Sequence, residues 1–410
     1  METDQATNQD VSYVTMLAIY ATAFFSLSIT LMKGLAIPLW CVALGVPPAY
    51  MGIILSARSF IPLFLSIHGG ALMDELGVRR TLLVLAILNG LLPWLYPVFP
   101  FVVALIVLEL IGGLMSSMAW IGAQTALARV AKGDPKSAGR FSFATNMGNL
   151  AGPVLVGFAW KLGGPIAGFG VVSLWGFLLL IAVYFLPSGD RPQQTKTSWQ
   201  NLLPKWAVYK QAFLMLKIPG VDMVVFATFL RIAAYSIQAS FYAVALVYLG
   251  QNEFNIGILM GIAGFSAGIA PLMGATVSRL FRSQVVVLLG GIATAILFIS
   301  ITPYLPGFSV LLVAAIIFGL GMGVSLPLLL SVLSLAIPKE QQGLSVGLRA
   351  TANRLAGVVI PIGMGFVIEF VGIEWGFVVI GVSLLLVLVI GSLLLYQRGK
   401  GVAKRESSIN

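Results

Sequence analysis

The stretch Gly69-Gly70-Ala71-Leu72-Met73-Asp74-Glu75-Leu76-Gly77-Val78-Arg79-Arg80 separates two long apolar runs of the chain. It holds four charges within seven positions, although only 9% of the 410 residues are charged and 59% are hydrophobic. Glycines permit a tight turn and close helix approach, and arginines concentrate on the cytoplasmic side of membrane proteins. We therefore interpret this stretch as a short hairpin where the chain leaves the hydrocarbon and re-enters it.

The composition of the whole chain is that of a membrane protein. Its mean hydropathy is +1.00, and soluble domains are only about 45–50% apolar and about 25% charged. A helix of about 20 apolar residues spans a bilayer. The sequence therefore predicts an all-α membrane protein with twelve transmembrane helices, placed approximately at 13–37, 49–71, 82–98, 101–127, 141–161, 165–187, 221–249, 254–278, 285–304, 307–334, 344–369 and 375–396.

The basic residues indicate how the chain is oriented. The net charge is +10, and with the N-terminus inside, the predicted outer loops contain only one basic residue, Lys161. This asymmetry predicts that both termini are cytoplasmic, in a plasma (inner) membrane. Membrane topology therefore explains the charge, and we expect a monomer in a lipid bilayer with no nucleic-acid partner.

The chain divides into two halves that are related by sequence. Residues 188–220 form the longest polar stretch, so residues 1–187 and 221–410 are predicted to be two six-helix bundles joined by a cytoplasmic linker. An offset of 205 positions places Gly45 on Gly250, Gly52 on Gly257, and residues 150–152 on residues 355–357. This predicts an internal duplication, two pseudo-symmetric bundles with the substrate path between them.

The hairpin resembles the loop between the second and third helices of the major facilitator superfamily. Four of its residues match the family pattern: Gly70, Asp74, Gly77 and Arg79. The pattern has basic residues where this chain has Glu75 and Val78. The resemblance implies the major facilitator fold and secondary transport by alternating access, with these four residues in a conformational role. Asp74 would then help to hold one of two conformations at a helix N-terminus, or it is only a topological anchor.

A second stretch, residues 139–157, resembles the Gly-Pro motif that the family has mostly in antiporters. The matching residues are Gly139, Gly148, Gly152, Pro153 and Gly157. Small residues let helices approach closely, and proline bends a helix. We expect Gly148, Gly152 and Pro153 to act in gating. The alternative is that glycine and proline are simply common in membrane helices.

Ionisable residues inside the predicted spans are the functional candidates. They are Lys33, Arg58, Glu109, Arg231, Arg349 and Arg354. The third, sixth, ninth and twelfth spans have none, and in the superfamily these four helices face lipid. A charge at the bilayer centre costs at least roughly 2.5–3.5 kcal/mol, so such residues usually line a wet cavity. Lys33 lies near the outer end of its span and either snorkels to the interface or contacts substrate.

Glu109 is the only acid well inside a span. A carboxyl group in a partly dry cavity can load and release a proton near neutral pH, which makes Glu109 the candidate for proton coupling. The compatible alternative is a structural salt bridge to Arg58 or Lys33. The family's antiporter pattern places an arginine at this position.

The remaining candidates predict a wall that binds an anion. Residues spaced four, three and four apart share a face of the span 221–249: Arg231, Tyr235, Gln238 and Tyr242. We assign them to the substrate site together with three further arginines, Arg58, Arg349 and Arg354. Because arginine matches carboxylate and phosphate geometry, we expect a small organic anion as the cargo, with protons or a counter-solute as the coupled partner.

Three alternative functions remain open. Multidrug efflux by a proton antiporter would use an aromatic lining, here Phe24, Phe25, Trp120, Tyr235 and Tyr242. An intramembrane enzyme or a transporter-like sensor has less support. There is no Gly-Lys-Ser/Thr of a Walker motif and no His-Glu-x-x-His. With a single cysteine, Cys41, and a single histidine, His68, we expect no metal, no cofactor and no catalytic residues.

Overall fold

The computed structural model of the protein describes most of the chain. The backbone is described for residues 12–65, 77–131, 134–187, 210, 214–218, 220–280, 283–336 and 342–407. Side chains are described for the same residues except 65, 273–280, 334–336, 342–346 and 399–407. Gly70 and Asp74 of the hairpin therefore lie outside the described residues, as does most of the 188–220 linker.

The described residues form helices, turns and short connections, and no strand. In chain order the helices are α1 (Tyr13–Ala43), α2 (Pro48–Leu65), α3 (Val78–Val98), α4 (Val102–Ala131), α5 and α6 (the two arms of Pro135–Tyr184), α7 (Val221–Tyr248), α8 (Glu253–Leu280), α9 (Gln284–Ser300), α10 (Gly307–Ala336), and α11 and α12 (the two arms of Gln342–Ser407). Short 3₁₀ turns lie at Met215–Lys217 and Thr302–Tyr304.

Glycines in the left-handed region separate the paired arms. Gly164 has a φ of 64° between α5 and α6, and Gly372 has a φ of 80° between α11 and α12. Among the described residues, eight helices are long and apolar enough to cross a membrane, and Pro48–Phe64 and Gln284–Ser300 are shorter apolar helices. The all-α membrane fold is confirmed, and the count of twelve crossings stays a prediction.

The helix that carries the Gly-Pro motif begins at a well-formed cap. Asp134 accepts hydrogen bonds from the backbone N–H groups of Lys136 and Ser137, and Pro135 occupies the first helical turn. The Ser137 hydroxyl donates to Oδ2 of Asp134 at 2.6 Å. These bonds, that of the Ser137 hydroxyl first, hold the pKa of this exposed carboxyl below its ordinary value.

The predicted duplication is visible at the turns that follow α1 and α7. Gly45 and Gly250 both adopt left-handed backbone, with φ of 64° and 74°. Each donates its N–H to the carbonyl three residues earlier, at 3.0 and 2.9 Å. Two turns of the same geometry, 205 positions apart, agree with a repeat of the same helix-turn-helix element.

The two halves touch at two crossings that are built alike. At each crossing a Cβ on either of two glycines would collide with a backbone carbonyl of the opposite helix: Gly52 with Pro361 and Gly365 with Pro48 between α2 and α11, Gly257 with Pro153 and Gly157 with Glu253 between α8 and α5. Small residues thus permit direct backbone contact. Pro153 and Pro361 are 208 positions apart, so the pairing of residues 150–152 with 355–357 is wrong by three residues. Equivalent residues of the two halves are therefore identified by their packing and not by matching residue types.

Both crossings lie at the end of the molecule that carries the turns at Gly45 and Gly250, the outer end in the predicted topology. The helices there belong to residues 1–187 on one side and 221–410 on the other. The division into these bundles stays a prediction, and the contacts explain how such bundles would close on one side and leave a space between them.

Candidate functional site

A cavity of about 600 Å³ lies between the two halves. Within the described part of the chain, its lining comes from α1, α2, α4, α5, α7, α8, α10 and α11, and not from α3, α6, α9 or α12. The resemblance implied this division into lining and lipid-facing helices. The volume falls within the range of roughly 300–1,000 Å³ that is usual for small-molecule sites.

Five ionisable residues line this cavity: Lys33, Arg58, Glu109, Arg231 and Arg354. Four are cationic and one is acidic. In the described residues none of them forms an ion pair, and the ion pair found there joins Arg398 to Asp222 at the surface. Because four cations stand against one acid, the described lining has an excess of positive charge.

Glu109 is held by a tyrosine that the sequence reasoning missed. The Tyr96 hydroxyl donates to Oε1 of Glu109 at 2.7 Å, and both side chains are buried. Oε2 of Glu109 is buried without a hydrogen-bond partner. The Tyr96 ring is stacked on Phe169, with centroids 5.1 Å apart and an interplanar angle of 4°. Only the packing of α3 against α4 brings these residues together, so their spacing in the chain gave no signal.

Lys33 also has a neutral partner on α3. Its Nζ donates to Oδ1 of Asn89 at 3.1 Å, and Nδ2 of Asn89 donates to the Leu85 carbonyl at 2.9 Å. The second bond fixes the amide with its oxygen toward the ammonium group. Lys33 is only 6% exposed, so the alternative in which it snorkels to the interface is wrong.

Arg58 connects the two halves. Its Nη2 donates to the carbonyl of Ala239 in α7 at 2.8 Å. Among the described residues Glu109 forms no ion pair with Arg58 or Lys33; Arg58 donates to Ala239 and Lys33 donates to Asn89. The α4 backbone lies directly against Arg58, since a Cβ on Gly113 would collide with it.

Arg231 ties α7 to α10 within the second half. Its Nε donates to the Met322 carbonyl at 3.2 Å and to the Ser325 hydroxyl at 3.0 Å, and its Nη2 donates to the same carbonyl at 3.1 Å. Arg231 thus both lines the cavity and joins two helices.

The two arginines of α11 differ in position. Arg354 lines the cavity and makes no hydrogen bond to the described residues. Arg349 does not line the cavity, and its buried Nε has no partner. Five residues correspond to about 500° of helix rotation, so the two side chains leave α11 about 140° apart. Of the two, only Arg354 lines the cavity, so a substrate contact of Arg349 stays a prediction.

The predicted face of α7 is also only partly realised. Arg231, Tyr235 and Gln238 line the cavity, but Tyr242 is buried outside it at 3% exposure. A π-turn spans Gln238–Tyr242. Because a π-turn holds more residues per turn than an α-helix, it rotates Tyr242 away from the face that uninterrupted α-helical spacing predicts.

The aromatic residues considered for a drug cavity separate into two groups. Trp120 and Tyr235 line the cavity. Phe24 and Phe25 instead pack against Trp175, with centroid distances of 6.1 and 5.5 Å. Together with the displaced Tyr242, this places three of the five proposed lining aromatics in packing contacts.

Of the four hairpin residues that match the family pattern, Gly77 and Arg79 lie within the described residues. Gly77 has a φ of 84° at the start of α3. Nη2 of Arg79 donates to the Tyr184 carbonyl at 2.7 Å, and its guanidinium carbon lies 5.6 Å from the centroid of the Tyr184 ring. Arg79 therefore connects the hairpin to the end of α6 in the same half.

The glycines of α5 contact two different partners. Gly148 and Gly152 face α1, because a Cβ on either would press against Ser28. Pro153 instead presents its carbonyl to Gly257 in the opposite half. One helix therefore packs within its own bundle on one face and forms the crossing between the halves on the other.

Uncharged polar residues complete the site and were not predicted. Asn146, Asn149 and Asn353 line the cavity. Nδ2 of Asn146 donates across the halves to the Gly268 carbonyl at 3.3 Å, whereas the buried Oδ1 atoms of Asn149 and Asn353 have no partner. Their position next to the Gly-Pro motif and beside Arg354 was the available sequence signal.

Two relatives are similar to this chain in sequence over most of its length. The chain is 22% identical to the quinolone resistance protein NorA of Staphylococcus aureus, over 85% of this chain and 88% of the relative. It is 26% identical to the class B tetracycline resistance protein of Escherichia coli, over 76% of this chain and 77% of the relative.

Two solved structures have a similar fold. The nucleoside transporter NupG aligns with a TM-score of 0.72 and 14% identity, covering 94% of this chain and 99% of that chain. The human organic anion transporter MFSD10 aligns with a TM-score of 0.61 and 17% identity, covering 92% of this chain and 98% of that chain.

The family comparison covers nearly the whole chain in two consecutive matches, which agrees with the two halves seen in the sequence. The description Major Facilitator Superfamily matches residues 13–225 and 224–408. Together with the helical fold around a central cavity, this identifies an integral membrane transporter, not an enzyme: the chain belongs to the Major Facilitator Superfamily.

Proposed function

We propose that this transporter moves a small organic anion, or a solute with an anionic group, by alternating access. The observation that carries the proposal is the charge of the cavity wall. Lys33, Arg58, Arg231 and Arg354 face Glu109 as the one acidic residue in the described lining. A desolvated positive cavity is costly unless an anion or water occupies it, and guanidinium groups bind carboxylate and phosphate with two bonds.

Arg354 is the best candidate for direct contact with the anion. Arg58 and Arg231 each donate to a backbone carbonyl, whereas Arg354 has no partner in the described residues. Tyr235 lies within electrostatic reach of all three guanidinium groups. An anion beside Tyr235 would therefore meet positive charge from both halves of the protein.

Proton coupling is assigned to Glu109. It lines the cavity, it is 2% exposed, and its Oε2 is buried without a donor. Such an oxygen can take up a proton without losing an existing hydrogen bond. The remaining features are those predicted from the sequence. The transporter is a monomer in the inner membrane with both termini in the cytoplasm. Its two bundles rock about the cavity and close through the Gly-Pro helix and the hairpin.

Drug efflux is the second candidate, and the relatives favour it. Their names refer to quinolone and tetracycline resistance. Apolar residues that would suit a drug-like body line the same cavity: Trp120, Phe141, Met260, Phe318 and Met322. Both candidate functions predict binding of a drug that carries an acidic group, but only drug efflux predicts binding of lipophilic cations.

A thermal-shift series on the purified protein separates the candidates. Benzoate and phenyl phosphate are compared with neutral benzamide and with the lipophilic cation tetraphenylphosphonium. A ligand at 100 times its Kd stabilises the folded state by about 2.7 kcal/mol. We expect stabilisation by the two anions and little effect of benzamide. Stabilisation by tetraphenylphosphonium alone would instead support drug efflux.

A further inference from the structure

The hydrogen bond from Arg58 to Ala239 joins the two halves at the cavity. Arg58 belongs to α2 and lines the cavity, and it reaches the Ala239 carbonyl in α7 at 2.8 Å. Each residue lies about 14–15 Å from the predicted outer end of its helix, at 1.5 Å of rise per residue. Gly52, where α2 crosses α11, is six residues closer to that end. The bond therefore lies at the inner edge of the closed crossing, where the cavity begins.

The acceptor lies in an irregular part of α7. The π-turn spans Gln238–Tyr242 and so includes Ala239. A π-turn replaces i→i+4 bonds with i→i+5 bonds, and such turns are frequent at functional sites. A carbonyl oxygen has two lone pairs, so Ala239 can accept from Arg58. This acceptor is neutral, so the bond itself does not compensate the charge of the guanidinium.

Close packing fixes the position of Arg58. The α4 backbone lies against it at Gly113, and a Cβ on Gly34 in α1 would come within 3.9 Å of the Ala239 oxygen and 4.0 Å of Nη1 of Arg58. The next residue, Ser59, contacts α11 of the other half at Gly357. Three helices of one half thus hold Arg58 at the boundary, where two helices of the other half meet it.

We propose that the Ala239 carbonyl is the resident partner of Arg58 in the empty transporter, and that the anionic group of the cargo displaces it and so releases the two halves from each other. This inference rests on the proposed anionic cargo. A hydrogen bond to a carboxylate or phosphate is roughly twice as strong as one to a neutral acceptor. Arg58 can form all its hydrogen bonds to the anion only after its bond to Ala239 is broken. The cargo therefore binds the released state more tightly than the closed state, and such a difference in affinity shifts a conformational equilibrium.

Arg58 is therefore assigned two roles, as a ligand of the anion and as the contact that keeps the outer end closed while the cavity is empty. The direction follows from the geometry. An anion that enters the cavity from the predicted cytoplasmic side reaches Arg58 from that side. It then releases the crossing that lies between Arg58 and the outer end. Loading on the inside would then favour opening to the outside, as export requires.

Electron paramagnetic resonance distance measurements test the release whatever the identity of the cargo. Spin labels replace Leu162 at the end of α5 and Phe370 at the end of α11, which are 71% and 83% exposed, in a Cys41→Ser background. In the absence of ligand we expect R58Q to raise the ratio of open to closed outer ends by about 5-fold or more, the lower end of typical coupling strengths. R58K keeps one donor and should fall between wild type and R58Q. R231Q is the matched control, because the hydrogen bonds that Arg231 makes to described residues stay within its own half.

Benzoate and its neutral isostere benzamide test the displacement step. We expect benzoate to lengthen the distance in wild type, benzamide to leave it unchanged, and R58Q to lose the response to benzoate. If ligand-free R58Q and R58K give the wild-type distances, the contact does not hold the halves together and the inference is overturned whatever the cargo is. If R58Q opens but benzoate has no effect on wild type, the release by an anion is overturned together with the proposed anionic cargo.

Discussion

The hydroxyl of Tyr96 and the carboxylate of Glu109 form a buried hydrogen bond of 2.7 Å beside the cavity. Lys33 lies in the same wall but bonds to Asn89 and not to Glu109. The acid therefore has a neutral donor on one oxygen and a free second oxygen. This arrangement lets Glu109 change its protonation state without breaking an ion pair.

The first prediction concerns the pH dependence of transport. Glu109→Gln keeps the shape of the side chain but removes the titrating group, so transport of benzoate into proteoliposomes should become independent of a pH gradient. Tyr96→Phe removes only the hydrogen bond that Tyr96 donates to Glu109. The transport rate should still depend on pH, with the midpoint of its pH profile shifted. An unchanged pH profile in E109Q would exclude Glu109 from proton coupling.

The second prediction concerns the buried lysine. Asn89→Leu leaves the Lys33 ammonium group without its acceptor, and losing a hydrogen bond to a charged group costs about 1.5–3 kcal/mol. Thermal unfolding should report this loss in N89L. In a Lys33→Met background, where no charge needs an acceptor, the same Asn89 change should cost clearly less. Equal costs in both backgrounds would mean that the two residues are not coupled.

The third prediction uses two glycines of the same helix. A Cβ on Gly365 would collide with the Pro48 carbonyl and press on Gly52, whereas a Cβ on Gly363 would meet open space. Overpacking typically costs about 1–3 kcal/mol, and here it destabilises only the state in which the crossing is closed. Gly365→Ala should therefore reduce transport about tenfold, in line with a coupling of about 1.4 kcal/mol, and Gly363→Ala should not. Similar rates in both variants would refute a closing role for this crossing.

The fourth prediction separates hydrogen bonds at a helix N-terminus from a surface ion pair. Asp222 accepts from the backbone N–H groups of Gly220 and Met223, and its Oδ2 lies 3.4 Å from Nη1 of Arg398. Surface ion pairs contribute about 0–1 kcal/mol, whereas a typical intramolecular hydrogen bond contributes about 0.5–1.5 kcal/mol, and Asp222 accepts two. Arg398→Gln should therefore barely change the melting temperature, and Asp222→Ala should lower it. A larger loss in R398Q than in D222A would reverse this assignment.

The sequence was sufficient for the fold because the fold follows from one-dimensional signals. Apolar length, the basic loops and the repeat around Gly45 and Gly250 are all visible without geometry. The positions of Arg58, Glu109, Arg231 and Arg354 beside a cavity could also be predicted, because the membrane makes buried charge costly. These signals depend on each residue's own chemistry and depth.

The partners of these residues could not be predicted. Tyr96 and Asn89 are uncharged, and only the packing of α3 brings them to Glu109 and Lys33. The π-turn in α7 rotates Tyr242 out of a face that regular spacing assigned to it. Pairings between helices and local changes of helix type depend on three-dimensional packing, which a single sequence does not reveal.

Equilibrium binding of benzoate to the purified protein tests the central claim that the cavity arginines bind an anion. Wild type is compared with R58Q, R231Q and R354Q, each checked for an intact ligand-free melting transition. We predict that R354Q weakens binding most, by at least about tenfold, as expected for loss of a hydrogen bond to a charged group, and that R58Q and R231Q weaken it by a smaller factor. Unaltered affinity in all three variants would contradict the account.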